Sequence, residues 1–485
     1  MCIRIRSVAM GSALPCRLSR STKRCATMNF LATMHLLAAL LVAGTPARAA
    51  DDQPTYGLFG QLHLSRPSAA IEDVVILLSD REGWNAHDES LATPLAAQGA
   101  LVVGVDLPAY LKRLAAIGDK CGYPSGHFEE LAHWVERHEG IADYRNPLVI
   151  GEGAGAAFAY AMVAQAPSGT FAGLLTLGWD WDFRLAGPLC PGDAGAMTVA
   201  AGKSGYRIIP VANLPTTWLP RPFAVGAPWR GAAGLLAIVA DGAEAVQPLF
   251  AAPTAAADLG RAYAGWRAGQ ASGQASLPDD IADLPLIEID PVGADSQRIA
   301  VILTGDGGWA GLDKGVAGAL AADGVRVVGF STLKFFWKKR SPEESAEALR
   351  RTIEHYARLH PQSRFVVLGY SFGASLVPVL VNRLPAELRA KVDSGIMISP
   401  DADAVFEIRI GDWFGGAQHE GTLPLLPEIA RSSVPLVCVH GDDESDSFCK
   451  PGVAKMRVLT LPGGHHYNGD YAALGKLVVG TLGKR

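Results

Sequence analysis

Two distant stretches of this chain share one rhythm of apolar and polar positions. The apolar run Val75-Ile76-Leu77-Leu78 passes Ser79 into a polar loop ending in Gly83-Trp84. Far downstream, Ala300-Val301-Ile302-Leu303 passes Thr304 into a loop ending in Gly308-Trp309. Unbroken apolar runs of this length read as buried parallel strands. The match continues through Asp88 and Asp313, then Gly99 and Gly324, into second runs at Ala100–Val105 and Val325–Phe330. Further on, Leu148-Val149-Ile150-Gly151-Glu152-Gly153-Ala154-Gly155 matches Val366-Val367-Leu368-Gly369-Tyr370-Ser371-Phe372-Gly373. The period is far too long for a solenoid, so a whole domain is duplicated.

In the second copy the pattern switches to helix after the second strand. Ser341-Pro342-Glu343-Glu344 is a helix start, with Ser341 as N-cap and Glu344 closing a capping box. Ala346, Leu349, Ile353 and Tyr356 then fall on one face. Three more apolar runs, Gly395–Ser399, Val434–Gly441 and Val458–Leu461, read as strands. Strands alternating with helices predict an α/β fold, with doubly wound, mostly parallel sheets and right-handed crossovers. At 485 residues the chain is long for one core. The expected division is a first domain at 51–265, a linker at 266–285 and a second domain at 286–485. The small, polar stretch Arg267–Ser276 carries the linker reading. The Gly-, Pro- and aromatic-rich stretch from Trp179 to Pro228 reads as a cap-like insertion.

The chemistry centres on Phe365–Leu376. An apolar strand ends in Gly369-Tyr370-Ser371-Phe372-Gly373 and a helix-compatible segment follows. This is a nucleophile elbow: the flanking glycines let strand and helix pack closely while the serine stands at the tip. The first copy keeps the glycines but has Gly153 where the second has Ser371, so it reads as a copy without a nucleophile. Glu152, beside that tip, has no partner discernible in the sequence. Doubly wound sheets place functional residues at the carboxyl ends of strands. The strand ending at His440-Gly441 opens onto Asp442-Asp443-Glu444-Ser445-Asp446, which offers Glu444 or Asp446 as a triad acid. The final strand opens onto Gly463-Gly464-His465-His466. A histidine there completes the order serine, acid, histidine; His465 is favoured as the base, with His466 orienting or packing. Backbone N–H groups of Phe372 and of the Gly305-Asp306-Gly307 loop suit an oxyanion hole. Asp442 and Asp443 suit a cationic substrate. Lys334, in the aromatic and basic run Leu333–Arg340, suits a phosphate or lipid headgroup. No metal-site spacing is present, and the chemistry needs no cofactor.

The amino terminus refines the setting. Residues 1–49 carry seven Lys or Arg and no acid, an apolar run from Met34 to Gly44, and Ala47-Arg48-Ala49 as a small-x-small cleavage site. The run is too short to span a bilayer, so a cleavable secretory signal at 1–49 is expected. Met28 is an alternative start. Removing the leader leaves 36 basic and 48 acidic residues, a balance that argues against nucleic-acid binding and for cationic ligands. Four cysteines remain, an even number that suggests two disulfides in an exported chain. One bridge per half pairs Cys121 with Cys190 and Cys438 with Cys449.

At Thr304–Trp309, Gly369–Gly373, Gly441–Cys449 and Gly463–His466 the chain resembles the AcvB/VirJ family of bacterial periplasmic virulence proteins. The serine-less leading copy makes it similar to the longer, two-domain AcvB type. The resemblance implies tandem α/β-hydrolase-like domains, the first lacking the nucleophile, with Ser371 as the nucleophile of the second. It also implies a periplasmic location and hydrolysis of lysyl-phosphatidylglycerol. An aminoacylated phospholipid substrate, peripheral contact with a membrane surface and a link to secretion-system components are its expected partners.

Overall fold

The structure, a computed structural model, describes residues 53–485 apart from 181, 193–194, 210, 212–213, 222–254, 274–276, 409–420, 446, 450–455 and 484–485. The expected leader and Asp446 lie outside the described residues. Gln53–Arg485 form one compact unit built on two sheets.

The first sheet has six strands, β1 (His63–Ser65), β2 (Asp73–Leu78), β3 (Ala100–Val105), β4 (Leu148–Glu152), β5 (Gly173–Leu177) and β6 (Trp218–Arg221). Their spatial order is β6-β5-β4-β2-β3-β1. The second has seven, β7 (Leu286–Ile289), β8 (Arg298–Leu303), β9 (Arg326–Phe330), β10 (Arg364–Tyr370), β11 (Val392–Ile398), β12 (Leu436–Gly441) and β13 (Arg457–Leu461). Their order is β7-β9-β8-β10-β11-β12-β13. In each sheet only the leading strand, β1 or β7, runs antiparallel to its neighbour. The first six strands of the second sheet thus repeat the order of the first sheet, and β13 is added. This is the doubly wound α/β arrangement that the apolar runs predict.

The repeated residues have one physical job in both halves. A Cβ at Gly104 would stand 2.2 Å from the Trp84 ring, and one at Gly329 would stand 2.4 Å from the Trp309 ring. Each indole therefore packs directly on a strand glycine and shapes the loop after β2 or β8. Asp88 and Asp313 are both buried at the starts of helices α1 (Ala86–Ala96) and α5 (Gly311–Ala322). Their carboxylates accept the Asn85 N–H at 2.8 Å and the Ala310 N–H at 3.1 Å, satisfying a donor that a helix start leaves unpaired. Both predicted disulfides, Cys121–Cys190 and Cys438–Cys449, are formed.

Two expectations change. The linker expected at 266–285 starts inside a helix: α4 (Ala255–Gly273) runs on through Arg267. Leu259, Tyr263 and Trp266 recur at helical spacing and are buried against α1 and β2. The Tyr263 hydroxyl donates to Asp73 at 2.8 Å, so this helix belongs to the first sheet. The run Leu333–Arg340 suits a phosphate or lipid headgroup by its sequence, yet Phe335, Phe336 and Trp337 are buried. Trp337 is the seam between the halves. Its ring N–H donates to the Ile141 carbonyl at 2.9 Å and the Arg137 guanidinium lies 3.9 Å over the ring. Arg137 comes from α2 (Pro124–His138) of the first half, and it also donates to the Ile408 carbonyl at 2.7 Å. Tyr144 of the first half packs inside the core of the second. Among the described residues no helix is long and apolar enough to cross a membrane.

Trp337→Ala removes a buried indole, its hydrogen bond and its cation partner at once. It should lower the unfolding free energy by about 3–5 kcal/mol, measured as a shift of the urea midpoint, with Lys338→Ala as a mild control.

Candidate active site

Ser371 stands at the turn from β10 into α7 (Phe372–Asn382), where α6 (Pro342–Leu359) precedes β10. Its backbone is at φ 50°, ψ −116°, a region that costs a residue with a Cβ on the order of 1–3 kcal/mol. The neighbours explain why the turn is so sharp. A Cβ at Gly369 would stand 2.3 Å from the Gly373 carbonyl oxygen. A Cβ at Gly373 would stand 2.3 Å from the carbonyl oxygens of both Leu303 and Thr304. Only glycine permits α7 to start so close to β8 and β10. No side chain caps α7, so the Phe372 N–H has no intrahelical partner.

The histidine and acid arrive on two loops locked together. A Cβ at Gly441 would stand 2.1 Å from the Gly463 carbonyl oxygen, and the Asp442 carboxylate accepts the Gly463 N–H at 2.7 Å. His465 is thereby set between the other two groups. Its Nε2 lies 3.0 Å from Ser371 Oγ and its Nδ1 lies 2.8 Å from Glu444 Oε1. A carboxylate only accepts, so in the neutral ring Nδ1 carries the proton and Nε2 is left to accept from the serine hydroxyl. Glu444 is nearly buried, with 9% of its side chain exposed. Its second oxygen accepts from the Gly441 N–H at 2.9 Å and the Ser399 hydroxyl at 3.0 Å. Ser399 in turn meets the Tyr467 hydroxyl at 2.7 Å. Burial pushes the Tyr467 phenol above its ordinary range, which keeps it neutral.

Each sequence candidate now has a place. Ser371, His465 and Glu444 come together. His466 turns aside and its Nδ1 meets the Tyr370 hydroxyl at 2.9 Å; that hydroxyl also donates to the His465 carbonyl at 3.2 Å. Gly305 lies against the Tyr370 ring, 3.1 Å from where its Cβ would be, and near Ser371. Its carbonyl accepts from the Thr332 hydroxyl at 2.7 Å, which pins the loop. The Asp306 carboxylate folds back to accept the Gly307 N–H at 3.1 Å. Asp442 shapes the histidine loop and Asp443 is exposed, as is Lys334. Ser399 and Tyr467 were missed. Both have positive φ, 48° and 51°, a property that their residue types do not advertise. Among the described residues no group of His, Cys, Asp or Glu could hold a metal ion.

The first half repeats this turn and fills it differently. Gly153, at the turn from β4 into α3 (Ala154–Gln165), has φ 53°, ψ −111°, the backbone of Ser371 without its side chain. Asp80 stands at the position equivalent to Gly305. Its Oδ1 accepts the Ala154 N–H at 2.7 Å, the counterpart of the Phe372 N–H. A Cβ on Gly153 would stand 2.4 Å from that carboxylate. The carboxylate therefore occupies the space of both a nucleophile and an oxyanion. Glu152 does have a partner, His87 Nε2 at 2.9 Å. One acid of this half reaches a loop of the other: Glu129 of α2, half-buried, lies beside Gly307, its Oε1 3.6 Å from where a Cβ there would be.

Placing serine at 153 in a Ser371→Ala background should give no ester hydrolysis, measured with p-nitrophenyl acetate, because Asp80 fills the turn. The same pair of changes with Asp80→Gly is the informative contrast.

Residues 297–485 match the family described as bacterial virulence protein (VirJ). No curated protein sequence matches the chain. Among solved structures, an α/β serine hydrolase homologue from Coxiella burnetii is 17% identical, with a TM-score of 0.32, over 41% of this chain and 91% of that one. The ferulic acid complex of Est1E from Butyrivibrio proteoclasticus is 15% identical, with a TM-score of 0.32, over 41% and 94%.

Proposed function

We propose that this chain, whose residues 297–485 form a VirJ-family domain, is an exported serine esterase. Its substrate would be the aminoacyl ester of aminoacylated phosphatidylglycerol, with a lysyl or alanyl group. The observation that carries the reading is the hydrogen-bonded series Ser371, His465, Glu444 at a strained elbow beside an uncapped helix start. In this reading His465 Nε2 takes the Ser371 proton as Oγ attacks the ester carbonyl. Glu444 holds the imidazole and offsets the charge it gains. The Phe372 N–H, with the dipole of α7, meets the developing oxyanion. The leaving lipid hydroxyl takes the proton from His465, and water then releases the amino acid by the same steps in reverse.

The lipid and the periplasmic setting rest on the family resemblance, the signal-like amino terminus, the acidic balance and the two disulfides. The filled site of the first half favours a non-hydrolytic role for that half, such as binding a partner of a secretion machine. Both roles fit one chain.

Purified protein and its Ser371→Ala variant, incubated with lysyl- and alanyl-phosphatidylglycerol, decide the matter. Wild type should release free amino acid and the variant should be slower by about 10⁴-fold or more. Equal release by both would remove Ser371 from the reaction. Glu444→Gln should lose most of kcat with little change in KM.

A further inference from the structure

The geometry points to Glu129, from the serine-less half, as the residue that recognises the ammonium group of the substrate in the second half's active site. This deepens the esterase reading and rests on it for the identity of the substrate. The loop Gly305–Trp309 follows the end of β8. One flank of that loop lies against Tyr370 and Ser371. Its other flank is covered by the first half at two points. Glu129 reaches Gly307, and Gly169 packs against the Trp309 carbonyl, 2.7 Å from where a Cβ there would be. The loop expected to border the reacting carbonyl is therefore a shared wall, with the nucleophile on one side and a carboxylate of the other half on the next.

That carboxylate is an unusual one. Among the described residues Glu129 makes no hydrogen bond or ion pair. Loss of water and the nearby negative charge of Asp306 push its pKa up to about 8. Two carboxylates held near each other in a partly dry place are unfavourable as a pair of anions: without a cation Glu129 keeps its proton, and a cation beside it favours the charged form. The two acids that the sequence offers for that role are otherwise placed: Asp442 holds the Gly463 N–H, and Asp443 is exposed to solvent. Glu129 is also fixed in place. It sits on α2, whose far end is tied to the second half by Arg137 on Trp337 and on the Ile408 carbonyl. A seam this well tied sets a side chain with the accuracy that recognition needs. An aminoacyl ester with its carbonyl at Ser371 directs its amino-acid part across this loop, where an ammonium on a flexible stem meets Glu129.

The test is calorimetric titration of L-lysinamide, an uncleavable aminoacyl cation, into wild type, Glu129→Gln and Glu129→Asp, alongside KM for lysyl-phosphatidylglycerol. Glu129→Gln should weaken lysinamide binding at least tenfold, and Glu129→Asp should recover part of it. Wild-type affinity in Glu129→Gln, or no lysinamide binding by wild type, overturns the inference. Equal weakening by Gln and Asp, with a lowered melting temperature, also overturns it, since it marks damage to the seam rather than lost charge. Glu129-dependent lysinamide binding without hydrolysis of either lipid would keep this inference and defeat the esterase reading. Hydrolysis with a KM indifferent to Glu129 would do the reverse.

Discussion

The second half depends on one steric constraint, the close approach of α7 to strands β8 and β10. The carbonyl oxygens of Leu303 and Thr304 stand where a Cβ on residue 373 would be. That crowding forces glycine on both sides of Ser371 and drives the serine to φ 50°. The strain is held because the core around it is extensive, with β8, β10 and β11 buried along nearly their whole length. The half-buried serine at the tip, the uncapped helix start at Phe372 and the approach of His465 all follow from that single crossing.

The same constraint survives in the first half, which shows that it is a property of the architecture before it is a property of catalysis. Gly151 and Gly155 are crowded as Gly369 and Gly373 are, and Gly153 keeps the backbone of Ser371. What differs is two side chains. Serine gives way to glycine at 153, and glycine gives way to aspartate at 80. The second exchange makes the first consistent: the Asp80 carboxylate takes the amide that would otherwise face solvent, so the turn is stabilised from within. The half without a serine at this turn has the same backbone shape and contributes Arg137 and Ile141 to the seam around Trp337.

The sheets were legible because buried parallel strands are unbroken apolar runs, and the duplication made each half a check on the other. Ser371, His465 and Glu444 were legible because the fold order and glycine-marked strand ends restrict where they can lie. The choice of Glu444 over Asp446 was left open by spacing, since both acids follow the same strand. Ser399 and Tyr467 were hidden because their roles depend on backbone angles that no residue type signals. Glu129 was hidden for a stronger reason: its neighbour Gly307 lies in the other half, and a contact between duplicated units leaves no periodicity in the chain. The helix at 255–273 was hidden by its small residues, although Leu259, Tyr263 and Trp266 carry the spacing.

The bridge between Cys438 and Cys449 has a consequence for when the site becomes ordered. Cys438 lies in β12, and Glu444 hangs from the ring that the bridge closes. Closing a loop of this size removes much of the freedom that it has in an open chain. The position of the acid is therefore tied to an oxidation event. In a reducing compartment the same sequence has to find the acid's position from noncovalent contacts alone, so the electron balance of the surroundings acts on the entropy of one loop.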